Sequence, residues 1–274
     1  MIRFTKMHGA GNDYVYVDCT AREIEDPASL AVRVSDRHFG VGSDGLVLIC
    51  RSDVADFRMR MFNSDGSEAQ MCGNASRCVG KYVYDKGMTN RRELSLETLA
   101  GVKHLALNVE GGRVSTVRVD MGIPELEAVR IPVLASHSPV IGLPVEVDGE
   151  RFEVTCVSMG NPHAVIFVNS VENADVHRIG RAIELHPLFP ERTNVEFIEI
   201  VNRAELKMRV WERGAGETLA CGTGACAAVV AAALNNLADP RATVHLTGGD
   251  LEIEWAQRVC MTGGAVTVFE GELL

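Results

Sequence analysis

Apolar positions recur along this chain with two periods, and the places where one gives way to the other mark its elements. Phe57, Met59 and Met61 alternate with Arg58 and Arg60, the period of a half-buried strand. Tyr14 to Val17 and Leu46 to Cys50 are continuous apolar runs, short enough for buried strands. Leu30, Ala31 and Val34, behind Pro27, carry helical spacing over residues Asp26 to His38. A second helix is predicted from about Gly73 to Lys86, stopped by Gly87. Residues Glu93 to Met121 read as three strands with turns at Ala100-Gly101 and Gly111-Gly112. Met7 to Asp13 and Gly40 to Gly45 read as glycine-rich turns.

From Ile123 to Pro144 the pattern is weakest, and a crossing into a second half is placed there. Strands are then predicted at Phe152 to Val157, Ala164 to Val168, Val195 to Val201 and Leu206 to Trp211, with a helix near Val176 to Ile183. The helix after Cys221 is nearly all Ala and Val from Ala225 to Ala233. A helix apolar on every side is a buried one, and its small side chains let strands come close, so a curved sheet wrapped around it is expected. Leu251, Ile253 and Trp255, then Val266 to Phe269, supply closing strands.

The two halves are copies. Sliding the chain along itself by 149 positions lays Met59 on Met208, Arg60 on Arg209, Phe62 on Trp211, Glu68 on Glu217 and Cys72-Gly73 on Cys221-Gly222, without a gap. The same offset lays Gly11-Asn12 on Gly160-Asn161. A repeat of about 150 residues is the size of a domain rather than of a solenoid unit. The expected fold class is α/β (α+β): two pseudo-symmetric domains, each a curved mixed sheet or barrel around a central helix. The boundaries are set at residues 1–119 plus 266–274 for the half with Cys72, and 120–265 for the half with Cys221.

Composition narrows the function. At 274 residues, 46% hydrophobic and 23% charged, the chain is ordinary globular protein, with length for two cores. A net charge of −10 and no run of Lys and Arg argue against nucleic acid. The longest apolar run, Ala225 to Leu234, is half of the roughly 20 residues a membrane helix needs. Met1 to His8 lacks a signal peptide's apolar core, so a cytoplasmic location is expected. Eight cysteines are then free thiols, and the default for Cys19, Cys50, Cys78, Cys156, Cys226 and Cys260 is a buried, inert position.

Cys72 and Cys221 differ from these because each stands where a strand and a Gly-containing loop give way to a helix. There a sulfur faces first-turn N–H groups and the positive end of the helix dipole. Bringing a thiol of pKa about 8.5 to half ionisation near neutrality takes roughly 2 kcal/mol, within reach of such a site. The N–H groups at Gly73-Asn74 and Gly222-Thr223 also make seats for a carboxylate. Two such helix starts face to face would hold an amino acid between two sulfurs. One thiolate would remove the α-proton while the opposite thiol delivers another, inverting the stereocentre with no metal and no cofactor. Metal sites pairing Cys72 with Cys78 and Cys221 with Cys226 are disfavoured, because at about 100° per residue those partners point well apart. No Cys-x-x-Cys redox motif occurs.

These residues bring a family into view. The chain resembles diaminopimelate epimerase over essentially its whole length, through Met7 to Asp13, Phe62 to Ser67, Met71 to Asn74, Ser158 to His163, Arg192 to Asn194, Glu212 to Thr218 and Ala220 to Cys226. The resemblance implies interconversion of L,L- and meso-diaminopimelate by Cys72 and Cys221, with His163 and Glu212 as auxiliary catalytic groups. It implies substrate contacts from Asn12, Asn63, Asn161, Asn194 and Arg213, chiefly to the distal head group, with Gly73, Asn74, Gly222 and Thr223 on the reacting carboxylate. It also suggests a homodimer with a small-molecule substrate. Read alone, each Asn is equally a turn residue, His163 a structural histidine and Glu212-Arg213 a surface pair. Gly45 stands where many members carry a Gln that reaches substrate, Ala75-Ser76 replaces Gly-Ala, and Thr223 replaces Ser. Two alternatives stay open: a two-cysteine proline or hydroxyproline racemase, and a thiol-based metal-binding or redox protein in which Cys78 and Cys226 would matter more.

Overall fold

The computed structural model describes residues 1–273, and Leu274, assigned above to the first half, lies outside the described residues. The chain forms two compact units, residues 1–120 with 262–273, and Met121–Met261. Four α-helices are present among the described residues: α1 (Pro27–Ser35), α2 (Gly73–Asp85), α3 (Val176–Glu184) and α4 (Gly222–Leu234).

In the first unit, strand Ile2–Gly9 pairs with Val266–Leu273 on one side and Asn12–Asp18 on the other, both antiparallel. Asn12–Asp18 runs parallel to Gly45–Cys50, which pairs antiparallel with Phe57–Asn63. Phe57–Asn63 continues parallel to Glu93–Thr98, and the hairpins Gly101–Glu110 and Arg113–Gly122 follow. Helix α2 packs against Ile2–Gly9, Asn12–Asp18 and Gly101–Glu110, while α1 covers Gly45–Cys50 and Phe57–Asn63. Leu30, Ala31 and Val34 of α1 meet Val15, Val17, Leu46, Leu48 and Phe62 in one core.

The second unit repeats this plan around α4. Strands Glu150–Ser158, Pro162–Phe167, Asn194–Asn202, Arg241–Leu246 and Gly249–Trp255 all touch that helix, so the sheet curves about it. Residues Gly224 to Ala232 are buried on every side, as a helix of Ala and Val requires. The registers match pair by pair. Tyr14 faces Gly45 as His163 faces Asn194, Leu46 faces Phe62 as Val195 faces Trp211, and Phe62 faces Glu68 as Trp211 faces Glu217. Helices α2 and α4 are both 13 residues long. Beyond them the offset shortens by one: Phe57 faces Leu96, and Leu206 faces Val244. This is the α/β architecture expected from the sequence.

Several local expectations change. Met7, His8 and Gly9 lie in a strand rather than a turn, and the turn shrinks to Ala10-Gly11, with φ of 54° and 80° between the paired residues Gly9 and Asn12. That first strand buries Thr5 and Lys6 beside Phe4 and Met7, so no alternation announces it. Strands Leu143–Val147, Arg241–Leu246 and Val259–Gly264 are likewise additions. Helix α1 ends at Ser35, three residues short of the predicted end. Cys50 and Cys260 are half-exposed rather than buried, whereas Cys19, Cys78, Cys156 and Cys226 are in the core. Among the described residues, no helix is long and apolar enough to cross a membrane.

Candidate active site

Both expected cysteines are the N-cap residues of their helices. Cys72 caps α2 with extended backbone, and its sulfur accepts from the Ala75 N–H at 3.5 Å. Cys221 caps α4 in the same way, accepting from the Gly224 N–H at 3.4 Å. A thiol thus fills the place usually taken by a Ser or Asp oxygen. The N–H groups of Gly73 and Asn74, and of Gly222 and Thr223, are first-turn donors with no acceptor inside the helix. Each unit therefore presents one sulfur beside first-turn N–H donors, a candidate half-site.

In the first half-site, Asn12 joins the cysteine to a charged support. Its Nδ2 donates to Asp44 Oδ2 at 2.8 Å, which fixes the amide. Its Oδ1 consequently faces the Cys72 thiol at 3.4 Å and the Asn74 Nδ2 at 3.3 Å. Behind this lies Lys6, a buried lysine paired with Asp13 at 2.5 Å. Burial pushes the Asp13 carboxyl up, but Lys6 and Arg37 outweigh it and hold it below the usual carboxylate range. Asp44 goes the other way, raised by burial and by the Asp13 charge despite the Asn12 hydrogen bond. The Asn74 side-chain oxygen, Oδ1, is buried without a hydrogen-bond partner among the described residues.

The second half-site uses different residues for the same purpose. His163 and Glu196 are both fully buried, with Nδ1 2.6 Å from Oε1. The other ring nitrogen lies 3.1 Å from Asn161 Oδ1, so the Asn161 Nδ2 turns toward Thr223 Oγ1 at 3.3 Å. That hydroxyl, 3.5 Å from Cys221 Sγ, is left free to donate to the sulfur. The amides of Asn12 and Asn161, equivalent in the repeat, are thus turned opposite ways: Asn12 points its oxygen at Cys72, and Asn161 points its nitrogen at the Thr223 hydroxyl beside Cys221. Glu212 hydrogen-bonds to both Thr218 and Cys221.

The electrostatics reverse one expectation. Burial pushes the Cys221 thiol well above its ordinary value, and the Glu212 and Glu196 carboxylates push the same way. The Thr223 hydroxyl and Gly224 N–H oppose this without overturning it. The helix start therefore does not bring Cys221 toward half ionisation, since desolvation and two acidic neighbours exceed what a dipole supplies. The Glu212 carboxyl is itself raised by burial, against the hydrogen bonds from Thr218 and Cys221.

The remaining expected residues are placed as follows. Asn194 is 4% exposed and spends both ends of its amide on backbone, donating to the Pro162 carbonyl at 2.8 Å and accepting from the Arg213 N–H at 2.9 Å. It positions Arg213, whose guanidinium is exposed, donates to the Glu191 carbonyl at 3.0 Å and forms no ion pair among the described residues. Asn63 lies in its own turn, bonded to Ser67 at 3.0 Å. At Gly45 an added Cβ would stand 2.0 Å from the Phe62 carbonyl oxygen, so this strand has no room for a Gln. Asp44 and Glu196 escaped the sequence reading. Asp44 looked like part of a turn, and Glu196 sits in an apolar strand where alternation marks it as a surface position. Its burial is explained by α4: an added Cβ at Gly224 would come within 2.8 Å of Glu196 Oε1.

A family model described as diaminopimelate epimerase matches residues 4–127 and 155–268. The chain belongs to the diaminopimelate epimerase family. It is 60% identical to the diaminopimelate epimerase of Acetivibrio thermocellus over 99% of this chain and 98% of that one. It is 58% identical to that of Methanococcus maripaludis strain C5, over 99% of each. In fold it resembles a phenazine biosynthesis protein of Bacillus anthracis, with a TM-score of 0.74 at 18% identity over 100% and 99% of the two chains. It also resembles a hydroxyproline epimerase of Agrobacterium vitis solved with trans-4-hydroxy-L-proline, with a TM-score of 0.69 at 14% identity over 98% and 91%. As a member of this epimerase family the chain is an isomerase.

Proposed function

We propose that this chain interconverts L,L- and meso-diaminopimelate without a cofactor, each unit supplying one half-site and Cys72 and Cys221 serving as the acid/base pair. The observation that carries the reading is the duplication itself: two thiols, each the cap of a 13-residue helix, each beside an anion seat and an asparagine. The reacting carboxylate is held by the N–H groups of Gly73-Asn74 and Gly222-Thr223, where negative charge developing as the α-proton leaves meets fixed donors. One sulfur takes that proton and the other returns one to the opposite face. The roles exchange with the substrate's hand.

Cys221 rests as a neutral thiol, because its burial and acidic neighbours hold its proton. In the direction where it is the donor it is ready. In the other direction Glu212, hydrogen-bonded to it, accepts the proton first. His163 acts through Asn161 and Thr223 on the polarity around the same sulfur. Arg213, exposed and without an ion pair among the described residues, offers a bidentate partner to the distal carboxylate, with Asn12, Asn63, Asn161 and Asn194 as hydrogen-bonding or positioning groups. That spare guanidinium favours a substrate with two amino acid heads over proline or hydroxyproline. Among the described residues no three His, Cys, Asp or Glu side chains gather into a possible metal site. The protein works in the cytoplasm, in lysine and cell-wall precursor synthesis, as a homodimer.

The test is incubation with L,L-diaminopimelate in heavy water without added cofactor. Deuterium should enter the α-position of the product, and Cys72→Ala or Cys221→Ala should abolish conversion with the fold retained. Equal turnover of proline, or full activity in either variant, would refute the reading.

A further inference from the structure

Outside the half-sites, the first unit brings two more thiols together. In the parallel pair Asn12–Asp18 and Gly45–Cys50, Val17 faces Leu48 and Asp18 faces Ile49. The ladder extends one step further, with the Cys19 N–H donating to the Ile49 carbonyl at 2.8 Å. Cys19 and Cys50 are therefore the next rung, neighbours on one face at the strand ends. Paired strands lie about 4.8 Å apart, inside the range of roughly 4.4–6.8 Å that a disulfide spans between Cα atoms. Both residues line one cavity of about 300 Å³, together with Arg58 and Arg60. Cys19 lies at the buried side, 5% exposed, and Cys50 is half-exposed.

The two thiols are not equivalent. Cys50 draws a hydrogen bond from Cys19 and feels Arg60 and Arg58, which together lower its pKa against the effect of burial. Cys19, beside Cys50 and desolvated, is raised and keeps its proton. A thiolate that is accessible and flanked by cations is the reactive kind, and a protonated thiol next to it is a resolving partner.

We propose that Cys50 and Cys19 form a redox-modification site, at which Cys50 reduces a hydroperoxide and Cys19 closes the product into a disulfide. The Cys50 sulfur attacks the peroxide oxygen, an S–O bond forms, the O–O bond breaks, and the leaving alkoxide or hydroxide takes up a proton. The Cys19 sulfur then attacks the Cys50 sulfenic acid. The S–S bond forms, the S–O bond breaks, and the departing hydroxide leaves as water with the Cys19 proton. Two thiols are oxidised and one peroxide is reduced to an alcohol, or to water, plus water.

The experiment treats the full chain with one equivalent of hydrogen peroxide, alkylates the remaining thiols and maps the peptides by mass spectrometry. A peptide containing Cys19 linked to Cys50 should appear, with Cys50 consumed about tenfold faster than the comparably half-exposed Cys260. The link should persist when Cys72 and Cys221 are both replaced by Ser. Cys19→Ser should leave Cys50 as a sulfenic acid that dimedone captures, and Cys50→Ser should leave Cys19 unoxidised. Consumption of Cys50 no faster than Cys260 overturns the proposal. So does a sulfenic acid at Cys50 that persists while Cys19 stays free.

Discussion

Asn12 and Asn161 hold equivalent places in the repeat yet are turned opposite ways, one by a carboxylate on its nitrogen and the other by an imidazole on its oxygen. Glu196 is the residue that fixes the second arrangement. Glu196→Gln keeps its volume but weakens the 2.6 Å contact to His163. It should lower kcat on the order of a hundredfold and alter the pH profile while leaving KM nearly unchanged. An equal rise in KM would assign Glu196 to substrate binding instead. Glu212 allows a pH test. Its carboxyl is raised by burial, so the carboxylate that accepts the Cys221 proton is lost earlier on acidification than an exposed one would be. The acidic limb of kcat/KM should therefore lie above the ordinary carboxylate range, near pH 4.3, and vanish in Glu212→Gln. Cys72 and Cys221 were legible in the sequence because a repeat, a following Gly and a strand-to-helix change coincide there. Glu196 and Asp44 were not, since each owes its meaning to a partner far away in the chain.

At the scale of elements, α4 is the most constrained. Ala228 has no exposed surface, so Ala228→Leu forces three extra heavy atoms into close-packed strands. Overpacking of this kind costs about 1–3 kcal/mol, and a fall in Tm of several degrees should follow. Ala233→Leu, at the half-buried end, should cost much less. The helices and most strands could be read from periodicity because one face or all faces are apolar. Strand Ile2–Gly9 could not, because it places Lys6 inside and neutralises it with Asp13, a hydrogen-bonded pair that no local pattern predicts.

For the whole molecule, pH and chain order set the stability. Cys78 and Cys156 are pushed up by burial to about 11 and about 12, and Cys221 is raised as well. An unfolded thiol ionises near 8.5. These groups hold protons in the folded state that the unfolded chain releases, so stability is intact below that pH and declines as pH rises toward the folded values. The denaturation midpoint should be lower at about pH 10 than at pH 7, and Cys156→Ala should narrow the gap. Removing residues after Ala265 strips one of the two partners from strand Ile2–Gly9 and the Phe269 ring from Phe4, whose centroids are 5.9 Å apart. Insolubility or a loss of several kcal/mol is expected. Unchanged melting would show that this edge contributes little.

Strand Ile2–Gly9 lies between its hairpin partner and the final strand, Ile2 facing Leu273. During synthesis its hairpin and neighbouring strands emerge first, but its outer edge stays bare until Val266–Leu273 has been made. The second unit, contiguous in the chain, can complete its core in the meantime. The unit whose first strand is made earlier is thus completed after the other, and its uncovered edge is where a chaperone would be needed.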